Sequence, residues 1–314
     1  MDRALTAIAV VVPTHQRRGR IAGLLAALAD QSLPAGSIEV VLVCDGCTDG
    51  TADAARAARA PALAVVEQPR SGAATARNRG AAETGAPILL FLDDDMVPER
   101  GCLAAHLAAH DRTPGALVLG HMPVHPDSPR SFLTEGLARW AGRRHARLAS
   151  GAVPAFTDVL TGHLSIARES FEAIGGFDPR FTEGGTFGGE DIELGARAAS
   201  RGIPIVYAAD AVAAQIYDKT FPALARDIVD GARADARLAS LHPGVAEALA
   251  SANAPRGVLE HAAAAFTRAA PGLASRLGGA GVALLDRAVE RGRTGRGWET
   301  LHGIVRAHLR ATVR

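Results

Sequence analysis

Four short apolar runs in the first hundred residues, each followed by a segment of helical spacing, restrict this chain more than any other feature. The runs cover residues 7–12, 39–44, 63–67 and 88–92. Between them, residues 21–29 carry isoleucine or leucine at 21, 24, 25 and 28, residues 52–60 are alanine-rich, and 73–83 read as a helix ending near Gly85. Strands alternating with helices at this spacing predict βαβ units and an α/β fold with a mainly parallel sheet. Polar residues sit just past the ends of three of these runs: Thr14, Asp45, and Asp93 to Asp95. Ligands of open α/β sheets bind outside the carboxyl ends of the strands, so three separate segments deliver polar groups to one edge.

Beyond residue 100 the alternation weakens. Strands are predicted at 116–119 and 205–208, helices at 101–110 and 191–201, with glycine-rich loops between. From about 226 the pattern is helical, broken at Pro243, Pro255 and Pro271. This last stretch holds 13 arginines against 8 acidic residues. The expected division is a catalytic domain over 1–225 and a helical region over 226–314.

Composition excludes several classes. A chain of 314 residues with 48% hydrophobic content can build one large core, or a large and a small one. The net charge is +1, with no block of like charges, and this argues against a nucleic-acid binder. Three cysteines do not make a disulfide framework. The opening residues read as a first strand and not as a signal peptide, and no run of 18 apolar residues predicts a membrane span. A soluble, cytoplasmic protein is expected.

The stretch ILLFLDDD (88–95) carries the sharpest chemistry. Asp93 and Asp95, one residue apart at a strand end, can hold a divalent cation from one side, water and phosphate oxygens completing its shell. The bland reading is a solvated acidic turn. DGCTDGTAD (45–53) mimics a calcium loop, but Cys47 stands where an oxygen ligand is needed and Arg56 where the closing glutamate belongs. Cys44 and Cys47 form a CxxC with no second pair, so neither a zinc site nor a redox motif is expected there. The stretch is better read as a strand-to-helix turn, with Thr48 or Asp49 capping the helix and Asp45 free to hydrogen-bond a base. Arg77 and Asn78 lie on the helix before the acidic strand, and a guanidinium beside a diphosphate is a charge-assisted clamp. In GGEDIELGARAASRG (188–202), Glu190 and Asp191 fit a helix N-terminus and equally a catalytic carboxylate exposed by the glycines before it.

Together, VVPTHQR, VLVCDGCTDGT, ARNRG, FLDDD, GGFDPRF and GGEDIELGAR resemble, in order, the motifs of the family 2 glycosyltransferases over residues 7 to about 216. The resemblance implies the GT-A fold, a Rossmann-like mixed, mainly parallel sheet flanked by helices, here with a C-terminal helical extension. It implies a nucleotide-sugar half over about 1–100 and an acceptor half over about 101–225. Pro13, Thr14 and Arg17 would lie along the nucleotide of a UDP-linked donor, and Asp45 would read the base. Arg77 and Asn78 would help hold diphosphate or sugar, Asp94 would face the donor, and Asp93 and Asp95 would position Mg²⁺ or Mn²⁺. Asp191, with Glu190 beside it, matches the position of the family's catalytic base, which takes the proton of the acceptor hydroxyl during inversion.

Two departures stand out. Cys44 replaces the first of a frequent aspartate pair, and Gln215 stands where many relatives have a histidine that in some of them binds the metal. Three alternatives stay open: a retaining transferase of the same fold, a catalytically silent nucleotide-sugar or partner-binding domain, and a nucleotidyltransferase. The last lacks its phosphate loop, since Lys219 is the chain's one lysine. The helical region is expected to cover an acceptor site, form a homodimer or touch an anionic membrane surface; the acceptor hydroxyl is unknown.

Overall fold

The computed structural model describes residues 6–186 and 188–313. They divide into two compact units. The first comprises the described residues up to His125 with Ala141–Thr186 and Glu190–Ile216; the second comprises Pro126–Trp140, the glycines of Phe187–Gly189, and the described residues from Tyr217.

The first unit is built on an eight-stranded sheet. Its strands are β1 (Ile8–Thr14), β2 (Ile38–Asp45), β3 (Leu63–Gln68), β4 (Ile88–Leu92), β5 (Met96–Pro98), β6 (Leu117–His121), β7 (His163–Ala167) and β8 (Ile205–Gln215), in spatial order 3-2-1-4-7-6-8-5. The strands β3, β2, β1 and β4 run parallel, as predicted. The strand β7 runs antiparallel to both β4 and β6, so the sheet is mixed.

Period-two alternation sorts the core into layers. Ile8, Val10, Val12, Ile38, Val40, Leu42, Leu90 and Leu92 point to one face. They pack there against α1 (Ile21–Ala29), α2 (Thr51–Ala57) and the start of α4 (Cys102–Arg112). Ala9, Val11, Leu89 and Phe91 point to the other, against α3 (Ala73–Ala82), α6 (Arg168–Ala173) and α7 (Glu190–Ser200). Continuous burial of β1 and β2 explains their unbroken apolar sequence.

At Gly80 of α3 a methyl group would lie 2.4 Å from Val11 Cγ1 and 3.2 Å from Val43 Cγ2, so the helix rests directly on the sheet. Gly80→Ala should therefore cost about 1–3 kcal/mol in a denaturant titration, despite the better helix propensity of alanine. An unchanged midpoint would mean that the helix can lift without loss.

Four elements were not legible in sequence: β5, β7, α6, and the helix α5 (Phe132–Ala149), which the two units share. The strand β8 runs seven residues beyond its predicted end because alanines at 208, 211 and 213 mark its buried face too faintly. The second unit holds α8 (Phe221–Leu241), α9 (Ala246–Asn253), α10 (Val258–Ala269), α11 (Pro271–Glu290) and α12 (Arg296–Ala311). Pro271 opens α11 at a position where a missing N–H costs nothing. The core of this unit joins Phe132, Phe221, Leu285 and Val305. No helix among the described residues is long and apolar enough to cross a membrane.

Candidate active site

Parallel pairing of β1, β2 and β4 carries Thr14, Asp45 and the 93–95 turn to one edge of the sheet. Thr14 Oγ1 donates to Asp94 Oδ2 at 2.7 Å, and Arg17 Nε lies 3.2 Å from Asp94 Oδ1. Burial raises the Asp94 carboxyl above its ordinary range, and the Arg17 charge opposes that shift. Asp94 thus ties the acidic turn to the loop after β1. Pro13 is a half-buried member of β1, in register with Val43.

Arg77 is the centre of the arrangement. Its guanidinium is buried, with one end 2.8 Å from Glu190 Oε1 and the other 2.7 Å from Asp93 Oδ1. Its flat face lies over the Phe177 ring, 5.6 Å from the centroid. Two motifs almost a hundred residues apart are therefore bridged by one planar fork. The family resemblance implied a guanidinium that helps hold diphosphate or sugar; here its two terminal nitrogens face carboxylates, and Nε has no partner among the described residues.

Asn78, one residue on, is equally committed. Its Nδ2 donates to Phe177 O at 2.8 Å and its Oδ1 accepts Phe177 N–H at 2.9 Å. A side chain at Gly176 would meet Asn78 Oδ1 at 2.8 Å, and that residue has φ +69°, so the glycine is required twice over. Asn78 fastens the GGFDPRF turn to α3. Asp45 is similarly engaged: Oδ1 accepts from Gln68 Nε2 and Ser71 N, and Oδ2 from Gly72 N, fixing the loop between β3 and α3. Neither Thr48 nor Asp49 is the helix cap, which is Gly50 without a side-chain cap bond; Asp49 accepts Thr51 N–H at 3.0 Å from one residue earlier. Gln16, at φ +55°, latches the turn by accepting from Thr48 N and Asp49 N. Cys44 is a buried free thiol pushed up to about 12 by burial, which fits the dismissal of a reactive CxxC.

Asp95 differs from its neighbours. Gln215 Nε2 donates to its Oδ2 at 3.0 Å, while its Oδ1 is buried with no hydrogen-bond partner among the described residues. Burial, reinforced by the nearby Asp93 charge, pushes its carboxyl up to about 7. A buried carboxylate oxygen left without a donor is the kind of acceptor a hard cation satisfies. Gln215 thus reaches the acidic turn from the end of β8.

Glu190 and Asp191 open α7 after Gly188 and Gly189, both at positive φ. Glu190 is buried against Arg77, with Oε2 unpartnered among the described residues. Asp191 is half-buried, its Oδ1 accepting Ile192 N–H at 2.7 Å. Burial and the adjacent Glu190 charge push it up to about 7. Both residues occupy the first turn of α7, where negative charge is favoured.

Sequence reasoning missed the start of β7. Gly162 O accepts Asp93 N–H at 3.1 Å, and a methyl at Gly162 would fall 3.1 Å from Asp93 Oδ2. The only trace of this in the sequence is the TGH tripeptide before a short apolar run.

Comparison with known proteins gives consistent results. The family described as Glycosyl transferase family 2 matches residues 9–175, more than half the chain, and one described as N-terminal domain of galactosyltransferase matches 150–217. A validoxylamine A glucosyltransferase of Streptomyces hygroscopicus subsp. jinggangensis is 32% identical over 63% of this chain and 52% of its own length. The glycosyltransferase AglE of Haloferax volcanii is 24% identical over 68% of this chain and 67% of its own. The chain spans about half the length of the first of these relatives. Among solved structures, a mannosyltransferase from Pyrobaculum calidifontis in complex with GDP-Man and Mn²⁺ superposes with a TM-score of 0.58. That match is 22% identical and covers 98% of this chain and 86% of the other, and it supports the GT-A fold.

Proposed function

Given that the chain belongs to glycosyltransferase family 2, we propose that it moves a sugar from a nucleotide-diphosphate sugar, UDP-linked, to an acceptor hydroxyl with inversion. The observation that carries this reading is the Arg77 fork, which holds the acidic turn and the Glu190–Asp191 pair within one guanidinium of each other. A leaving diphosphate and a base for the incoming hydroxyl must flank the same anomeric carbon, and these are the two carboxylate groups available for those tasks.

In this reading Asp191 is the base. Its oxygen not engaged by Ile192 N–H takes the hydroxyl proton, and its raised proton affinity suits that transfer near neutral pH. Glu190 is neutralised by Arg77 and serves to hold the turn of α7 in place. Asp93 and Asp95 fit a divalent cation, Mg²⁺ or Mn²⁺, because Asp95 Oδ1 is a buried acceptor without a donor. When bound, such an ion supplies positive charge to the leaving diphosphate. Thr14 and Arg17 hold Asp94 and keep the first strand's loop against the acidic turn. Support for a nucleotide-sugar donor also comes from the GDP-Man bound to the similar mannosyltransferase.

Thermal unfolding against UDP, GDP and their sugars, with and without Mn²⁺, tests this. A ligand at 100 times its Kd adds about 2.7 kcal/mol to stability. UDP compounds should stabilise the protein only with Mn²⁺, and Asp95→Asn should abolish that shift. A response to GDP compounds alone would overturn the UDP assignment. No response to any nucleotide would favour a silent domain.

A further inference from the structure

The same sheet buries a second set of metal-ligand side chains, on the face away from α3 and α7. Cys102, His106 and His110 occupy one side of α4 at i, i+4 and i+8, and His163 and Ser165 occupy one side of β7 at i and i+2. Four helical residues rise ~6 Å and two strand residues ~6.6 Å, so the two rows stay in register. Both rows are buried within an otherwise apolar layer. Cys102 Sγ lies 3.2 Å from His163 Nε2, and His106 Nε2 lies 2.9 Å from the same nitrogen. One ligand atom from each of the three residues falls within 4.8 Å of the others.

Hydrogen bonding accounts for this only through one acceptor shared between two donors. His163 Nδ1 faces His121 O at 3.3 Å, and a carbonyl only accepts, so the proton sits on Nδ1 and Nε2 is a bare lone pair. That single lone pair is approached by both Cys102 Sγ and His106 Nε2. An ion between the three atoms would instead take one lone pair from each. Each histidine also turns its second ring nitrogen to a polar partner, His106 Nδ1 to Ser165 Oγ at 2.8 Å and His163 Nδ1 to His121 O. That is the supporting arrangement metal-bound imidazoles use. Space for the His163 ring is built in: a methyl at Gly120 would lie 2.1 Å from its Cε1.

We propose that Cys102, His106 and His163 bind a zinc ion that pins α4 to β7. Thiolate and imidazole ligands select zinc over the hard cations suited to Asp93 and Asp95. As the S–Zn bond forms, the Cys102 S–H bond breaks and its proton leaves to solvent, while both imidazoles bind as neutral ligands. The role is structural: His163 follows Gly162, whose carbonyl holds Asp93 N–H, so the ion would steady the strand beneath the acidic turn. This inference does not depend on the sugar-transfer reading.

The test is metal analysis of the full-length, tag-free protein after dialysis against a weak chelator. About one equivalent of zinc should remain; Asp95→Asn should keep it, and Cys102→Ser should retain at least about tenfold less. Cobalt exchanged into the wild-type protein should give a thiolate-to-cobalt absorption band that Cys102→Ser lacks. Wild-type protein without zinc, and without that band when cobalt is added, would overturn the proposal whether or not the variants fold. Zinc lost with Asp95→Asn but kept with Cys102→Ser would overturn it too, assigning the ion to the acidic turn.

Discussion

Asp191→Asn will lower sugar transfer by about 100- to 10,000-fold while leaving metal-dependent nucleotide stabilisation intact. The amide matches the carboxylate in size and can still accept Ile192 N–H, so the start of α7 should persist. What it loses is the ability to take a proton. In the wild-type protein the same group should set the low-pH limb of the rate: with the carboxyl pushed up to about 7, transfer should fall as pH drops through that value. The sign for stability is opposite. A carboxyl whose native pKa exceeds its unfolded value of about 4 leaves the native state holding the extra proton between the two. Stability then falls as pH rises through that window, and above about 7 the native protein carries the full penalty of a crowded, partly buried anion. Asp191→Asn lacks that penalty, so the variant should melt at a higher temperature than wild type at pH 8 while being nearly inactive. Initial rates and melting curves over pH 5 to 9 check both halves. A variant retaining full activity would remove Asp191 from the chemistry.

The contrast between Asp191 and Arg77 shows what a sequence can disclose. The parallel core was readable because β1, β2 and β4 are buried on both faces and advertise it with unbroken apolar runs. Thr14, Asp45 and the aspartates followed from those runs, since strand ends locate themselves once the strands are known. Partners are another matter. Arg77 meets Glu190 across 113 positions, and no local pattern says that α7 returns to the end of β4. Asn78 was singled out through the ARNRG motif, and no local pattern says that both ends of its amide meet the Phe177 backbone. His163 was invisible for a related reason: β7 enters the sheet antiparallel between β4 and β6, and its five residues carry too little periodicity to announce the insertion. Local physics gave the frame; the pairings arise where elements distant in sequence close on one another.

Arg77→Met should destabilise the protein by about 3–5 kcal/mol, the usual consequence of removing one partner from a buried ion pair. Methionine fills much of the same volume and keeps contact with Phe177, so the loss reports charge and not a cavity. Most of it should come from Glu190, whose side chain is only 9% exposed and whose Oε2 already lacks a partner. Asp93 contributes less, because at 36% exposure water can replace part of what the guanidinium gave. A double-mutant cycle separates the two. Adding Glu190→Gln to Arg77→Met should recover a large part of the stability, because a neutral amide no longer leaves a bare charge in the core. Adding Asp93→Asn instead should recover little. Activity should be restored by neither, since the acidic turn and the α7 pair would have lost the fork that spaces them. Urea titrations of six proteins, the wild type, the three single variants and the two double variants, are sufficient. Should Arg77→Met unfold at the wild-type midpoint, the bridge contributes nothing to the fold, and the alignment of the two carboxylate groups must be held by the backbone around Gly162 and Gly189 instead.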